Sequence, residues 1–143
     1  MAKQKWLVSW IGGHDLKASE GQLGQDVGPI ATALKGEARF DRVYLLTNYD
    51  FDRSRGFCAW LEDQCGYEDK DVELCSVDLP SPIDYAAIYT EVSKNLKAAH
   101  LPQEGVELTF HLSPGTPAMA AIWIILAKTR FPARLIQLSL IHI

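Results

Sequence analysis

The feature that most constrains this chain is an alternation. Apolar runs of six to eight residues are separated by segments whose apolar positions recur every three or four residues. The runs cover residues 5–11, 42–47, 72–77, 106–112 and 133–140. The first ends at Gly12 and Gly13, the third is closed by Pro80 and Pro82, and the fifth follows Pro132. None alternates strictly between apolar and polar residues, which marks strands covered on both faces. Between them, Pro29 suits the first turn of a helix that Gly36 can end. Residues 53–64 place Phe57, Leu61 and Cys65 four apart, with Gly66 as the stop. Asp84 is a good N-cap for a helix in which Tyr85, Ile88, Tyr89, Val92 and Leu96 share one face. A fourth helix is expected over 117–131. The segment from Gly12 to Gly28 reads as a long polar connection. The resulting order, β-α-β-α-β-α-β-α-β, predicts an α/β fold. It is Rossmann-like and doubly wound, with a mainly parallel five-stranded sheet in the order 3-2-1-4-5 and helices on both faces.

Composition narrows the function classes. The 143 residues carry 14 Lys+Arg against 18 Asp+Glu, a net charge of −4. A mildly acidic chain lacks the dense basic face that general duplex-DNA binding rewards. The longest apolar stretch, residues 118–127, is half of the ~20 residues that a bilayer span requires. The N-terminal apolar stretch is too short for a signal peptide. Cys58, Cys65 and Cys75 show no C-x-x-C spacing, and His14, His100, His111 and His142 show no paired ligand spacing. No metal, cofactor or disulfide framework is expected, and the location expected is a reducing cytoplasm.

The fourth helix is unusual because residues 118–127 have no polar side. A helix of this kind is buried all round, either within the domain or against a second subunit.

Ligands of open doubly wound sheets bind beyond the carboxyl ends of the strands, where strand order reverses. In the order 3-2-1-4-5 that reversal falls between strands one and four. The loops to inspect are therefore Gly12, Gly13 and His14 after strand one and Ser113, Gly115 and Thr116 after strand four, with Thr47 and Asn48 beside them. Gly115 lets a backbone approach a ligand, and the helix start that follows offers N–H groups and partial positive charge. Thr116 is also a natural N-cap with Pro117 at the first helical position. His14, on a glycine-flanked loop, is a candidate ligand contact. His111, on a strand, reads as a hydrogen-bonded core group, Asp50 as a solvated loop residue, and Arg53 as a solvated cation.

Three common motifs fail. There is no G-x-x-x-x-G-K-[ST], and the glycines after strand one do not spell G-x-G-x-x-G. His111, Ser113 and Gly115 approach G-x-S-x-G, but Pro114 has no N–H where the oxyanion hole of a serine hydrolase needs one.

From residue 111 the sequence resembles a known family. His111, Ser113, Gly115 and Thr116, then Trp123, Leu126, Ala127, Arg130 and the run Pro132-Ala-Arg-Leu-Ile-Gln137, resemble the N-terminal regulatory domain of sigma-54-dependent activators of the bacterial RNA-repair operon. That domain belongs to the CARF (CRISPR-associated Rossmann fold) class. The detailed likeness covers residues 111–139. Elsewhere it rests on element order, on Gly28 with Pro29, and on the strand 43–47 ending at Asn48.

The resemblance implies one ligand-sensing domain over 1–143 that forms a homodimer, with the helix 117–131 as a candidate contact. It implies a nucleotide-derived ligand, a cyclic oligoadenylate or an RNA end, over Gly12, Gly13, His14, Ser113, Gly115 and Thr116. It also implies a downstream AAA+ ATPase acting on sigma-54 RNA polymerase, followed by a DNA-binding domain. The run 137–143 stops inside an apolar strand pattern, in keeping with a piece of such a larger regulator. Pro117, Ala118 and Met119 place no basic residue beyond Gly115-Thr116, where CARF loops commonly have one. The domain is therefore expected to bind rather than to catalyse. The alternatives are a ring nuclease, with Ser113 or Thr116 holding a ribose 2′-OH, and a purely structural dimerisation module.

Overall fold

A computed structural model describes residues 3–36 and 39–138 of the chain. Strand β1 (Gln4–Trp10) occupies the centre of the sheet, paired in parallel with β2 (Arg42–Thr47) on one side and β4 (Val106–His111) on the other. Strands β3 (Val72–Ser76) and β5 (Ala133–Ile136) complete a five-stranded, all-parallel sheet in the order β3-β2-β1-β4-β5. This is the Rossmann-like topology expected from the alternation.

The sequence explains why β1 is central. Trp6, Val8 and Trp10 enter one core and Leu7 and Ile11 the other, so the strand is buried from both sides. The first core is closed by α4 (Tyr85–Ala98), through Ile88, Val92 and Leu96, and by α5 (Pro117–Lys128), through Met119, Ile122, Trp123 and Leu126. The second is closed by α1 (Gly13–Ser19), α2 (Gly28–Gly36) and α3 (Phe51–Cys65), through Leu16, Ile30, Leu34, Phe57 and Leu61. The chain crosses from one face to the other between β3 and β4, which leaves a gap beside the carboxyl ends of β1 and β4.

Several local expectations are corrected. The connection after β1 is not all loop: it contains α1, a seven-residue helix anchored by Leu16, which is fully buried. A helix this short holds too few apolar positions to show a period. Helix α3 starts at Phe51, two residues early, because Asp50 is its N-cap and accepts the Arg53 amide at 3.0 Å. Asp50 is exposed, as a solvated loop residue would be, and it caps the helix as well. Arg53 is solvent-exposed, as expected, and its guanidinium also grips Glu20 through Nε and a terminal nitrogen at 2.7 and 2.9 Å, tying α3 to the end of α1.

Helix α5 ends at Lys128 and not at Phe131. Thr129 leaves the helical region, and Phe131 folds back into the core. Strand β5 spans Ala133–Ile136. Residues 139 and 140 of the expected fifth run lie outside the described residues.

Helix α5 is not buried all round by its own chain. Met119, Ile122, Trp123 and Leu126 are core, whereas Ile124 and Ile125 are 42% and 47% exposed on the outer side. Lacking polar residues on either side, the segment gives no sequence cue to which half faces the sheet.

Candidate functional site

The loop leaving β1 is built on backbone proximity. Gly12 is the N-cap of α1 in ordinary extended conformation, φ −97°. Its Cα lies so close to the β4–α5 turn that a Cβ there would stand 2.8 Å from the Gly115 nitrogen and 3.5 Å from the Pro114 Cα. Glycine is required here by space and not by torsion. Gly13 opens α1 beneath the Tyr49 hydroxyl.

Asp15, fully buried one turn into α1, ties this loop to its surroundings. One carboxylate oxygen accepts the Gly12 amide and the other the Ile30 amide at the start of α2, each at 3.0 Å. Burial opposes the charge and raises the Asp15 pKa from 3.8 to about 6, although both amides favour the ionised form.

The β4–α5 turn forms the opposite wall. Gly115 has φ +89°, a conformation that strains any side chain, and a Cβ there would meet the Met119 sulfur at 2.6 Å. Thr116 caps α5 as expected: its hydroxyl accepts the Met119 amide at 3.2 Å and donates to the Pro82 carbonyl at 2.7 Å. The Ser113 hydroxyl accepts the Leu138 amide at 2.6 Å. His111 is the buried hydrogen-bonded group that its strand position suggested. Its Nε2 donates to the Pro29 carbonyl at 3.0 Å, and burial lowers its pKa, keeping it neutral.

Between these walls lies a cavity of about 560 Å³, bounded by Gly12, Gly13, His14 and Asp15 on one side and Leu112 to Pro117 on the other. Gly28, Pro29, Gln137 and Leu138 form its floor, and Ala120 and Ile124 of α5 form its flank. It sits where strand order reverses, as topology requires.

The structure therefore brings Gly12, Gly13, His14, Ser113, Gly115 and Thr116 together on one cavity. His14 is exposed at the rim, with Nε2 2.8 Å from the Asp26 carboxylate. Asn48 is not on this cavity. It lines an adjoining one of about 230 Å³ with Tyr49 and Pro82, separated by Gly13, Gly115 and Thr116, which border both. Thr47 borders neither: it is fully buried, its hydroxyl 2.7 Å from that of Ser54 while accepting the Tyr49 amide. It supports the loop from beneath.

The main cavity has an uncommon charge pattern. Among the described residues no Lys or Arg lines it, while Asp15 and Asp26 do. The feature of this lining suited to an anion is the positive end of α5, which starts at Pro117. Among the described residues, no cluster of three His, Cys, Asp or Glu side chains is arranged to hold a metal ion, and no helix is long and apolar enough to cross a membrane.

Sequence reasoning missed Asp15 and Asp26. The available signal was an acid three residues after a glycine N-cap, the half of a capping box that reaches back to the cap amide. The floor residues Gly28, Pro29, Gln137 and Leu138 had no local signal as site residues, since folding alone carries them under the two turns.

Neither a family model nor a curated protein sequence matches this chain. Among solved structures, it is similar to Csm6 of Enterococcus italicus, a CARF-domain protein, in a structure described as bound to cyclic hexa-2′-fluoro-hexa-dAMP. The TM-score is 0.74 with 19% sequence identity over 96% of this chain. This chain corresponds to 34% of the length of that one. The two share a fold, the Rossmann-like arrangement.

Proposed function

We propose that this domain is a CARF-type sensor that binds a nucleotide-derived ligand, a cyclic oligoadenylate or an RNA end, and transmits its presence to another domain. The observation that carries this reading is the 560 Å³ cavity at the strand-order reversal, framed by Gly12–His14 and Ser113–Thr116. Its glycine-built walls let a ligand approach backbone, and the α5 start suits phosphate. The cyclic nucleotide in the Csm6 structure and the sequence resemblance over 111–139 support the same ligand class. The resemblance extends the reading to a sigma-54-dependent activator, in which the sensor restrains or releases an AAA+ ATPase.

The domain binds and does not cleave. Among the described residues the cavity offers no Lys or Arg to stabilise a leaving phosphate, and the Ser113 and Thr116 hydroxyls are engaged with Leu138, Pro82 and Met119. The site is completed by a second copy. Ile124 flanks the cavity while remaining exposed, so a partner seated on the outer side of α5 extends the cavity wall.

The test is calorimetry with cyclic tetra- and hexa-adenylate and with RNA ending in a 2′,3′-cyclic phosphate, alongside chromatography of the nucleotides after incubation. Saturable binding of one class with no linear product is expected. Silence from both classes in a folded protein refutes the ligand assignment, and linear product refutes the non-catalytic one. Affinity is also expected to depend weakly on salt, because few cations are engaged.

A further inference from the structure

Asp15 stands apart from the other groups around the cavity. It is the fully buried carboxylate of the site, and each of its oxygens accepts a backbone amide from a different segment. Oδ2 holds Gly12, which abuts the Pro114–Gly115 backbone of the opposite wall. Oδ1 holds Ile30, at the start of the helix whose first residues floor the cavity. The chain is shaped around this carboxylate. A Cβ at Gly12 would stand 3.3 Å from Oδ2, and one at Gly28 would stand 3.1 Å from Oδ1. Gly28 also takes φ +83°, where a side chain is strained, so two glycines make the room that the carboxylate occupies.

We propose that Asp15 is a positioning residue for the cavity: its ionised carboxylate straps the β1–α1 turn to the start of α2, and protonation releases one of those two segments. A carboxylate is acceptor-only and satisfies both amides. A neutral acid turns one oxygen into a hydroxyl, a far weaker acceptor whose own proton also needs a partner, so it loses its hold on the N–H it faces. Released from Oδ2, Gly12 is free to move against the Gly115 wall. Released from Oδ1, the floor moves at Pro29.

The buried carboxyl titrates near pH 6, so the strap changes state within a range a cell can visit. Among the described residues, the charged and titratable groups facing this region are few, and they include the Tyr49 hydroxyl above Gly13. His14 neighbours Asp15 on α1, and Asp26, leading into α2, pairs with His14. Arg53 of α3 is paired with Glu20, His111 of β4 is held neutral against Pro29, and the turn Ser113–Pro117 carries no titratable side chain.

The test has two arms, and only the second rests on the ligand reading above. In ligand-free wild-type protein, amide chemical shifts of Gly12 and Ile30 are followed by NMR from pH 4.5 to 7.5. They are expected to titrate together, with a midpoint near 6, while Asp15→Asn shows neither transition. Flat shifts, or different midpoints for the two amides, overturn the proposal. This arm is read on wild type alone, so a variant that fails to fold does not remove the decision. In the second arm, the Kd for cyclic hexa-adenylate is expected to rise about tenfold between pH 7 and pH 5 in wild type, and to stay flat in Asp15→Asn. A wild-type Kd that ignores pH overturns the link between strap and site. Absence of binding at every pH refutes the choice of ligand, and the amide titration still decides the strap.

Discussion

Replacing Gly12 by alanine tests the backbone contact on which the site is built. Two effects of opposite sign compete. Gly12 has φ −97° and ψ 166°, which alanine adopts without strain, so reduced freedom of the unfolded chain alone stabilises by about 0.4–1 kcal/mol. Against this, the new Cβ falls 2.8 Å from the Gly115 nitrogen, about 0.6 Å short of ordinary contact, and 3.3 Å from the Asp15 carboxylate. The neighbour is backbone and cannot rotate away, so the two turns separate by roughly that distance. Overpacking of this kind costs about 1–3 kcal/mol, so the steric effect wins and the net destabilisation is about 1–2 kcal/mol. Gly56 is the control. It lies within α3 with open space around its Cα, and alanine there stabilises by about 0.5–1 kcal/mol. Urea denaturation of both variants, with calorimetric binding of cyclic hexa-adenylate, reads the result. Gly12→Ala is expected to lower the midpoint and weaken binding, and Gly56→Ala to raise the midpoint and leave binding unchanged. A Gly12→Ala midpoint equal to or above that of wild type would refute the packing argument.

Other outcomes follow from the same structure. Because the Asp15 pKa is raised from 3.8 to about 6, the native state holds its proton more tightly than the unfolded chain. The stability this gives is fully present below pH ~4 and lost as pH rises through 6. Wild type is therefore expected to lose about 2–3 kcal/mol relative to Asp15→Asn between pH 4 and pH 7, read by urea denaturation at each pH, and a constant difference would contradict it. Trp123 is fully buried against Phe110, with ring centroids 4.5 Å apart, so Trp123→Ala is expected to cost about 3–5 kcal/mol in thermal or urea unfolding. Ile124→Asp, on the exposed side of α5, is expected to leave the fold within about 0.5 kcal/mol of wild type. In sedimentation it converts a dimer to monomer if α5 carries the contact. Burial pushes the Cys58 thiol up to about 12, so iodoacetamide at pH 8 is expected to spare it in folded protein and modify it in urea, as mass spectrometry resolves.

The sequence alone determined the architecture. Strand order, the parallel sheet and the crevice beyond β1 and β4 follow from local patterns, because strand runs covered on both faces, separated by helices, have few topologies open to them. Thr116, Pro117, Asp84 and Gly66 were legible for a related reason: caps and stops depend on neighbours within a turn of chain. Gly12, Gly13, His14, Ser113, Gly115 and Thr116 were legible as a group because topology fixes which loops meet.

Tertiary structure decided what depends on distance in space and not in sequence. It made Arg53 a partner of Glu20, sealed Thr47 beneath its loop, and moved Asn48 to an adjoining cavity. It divided the uniformly apolar α5 into a core half and an exposed half, because an unpatterned helix takes its orientation from the sheet it covers. Above all, it gave Asp15 its role. In sequence it is one acid after two glycines and a histidine. It became the fastening of the site only when folding carried Ile30, fifteen positions along the chain, to its second oxygen and excluded the water that would otherwise have solvated it.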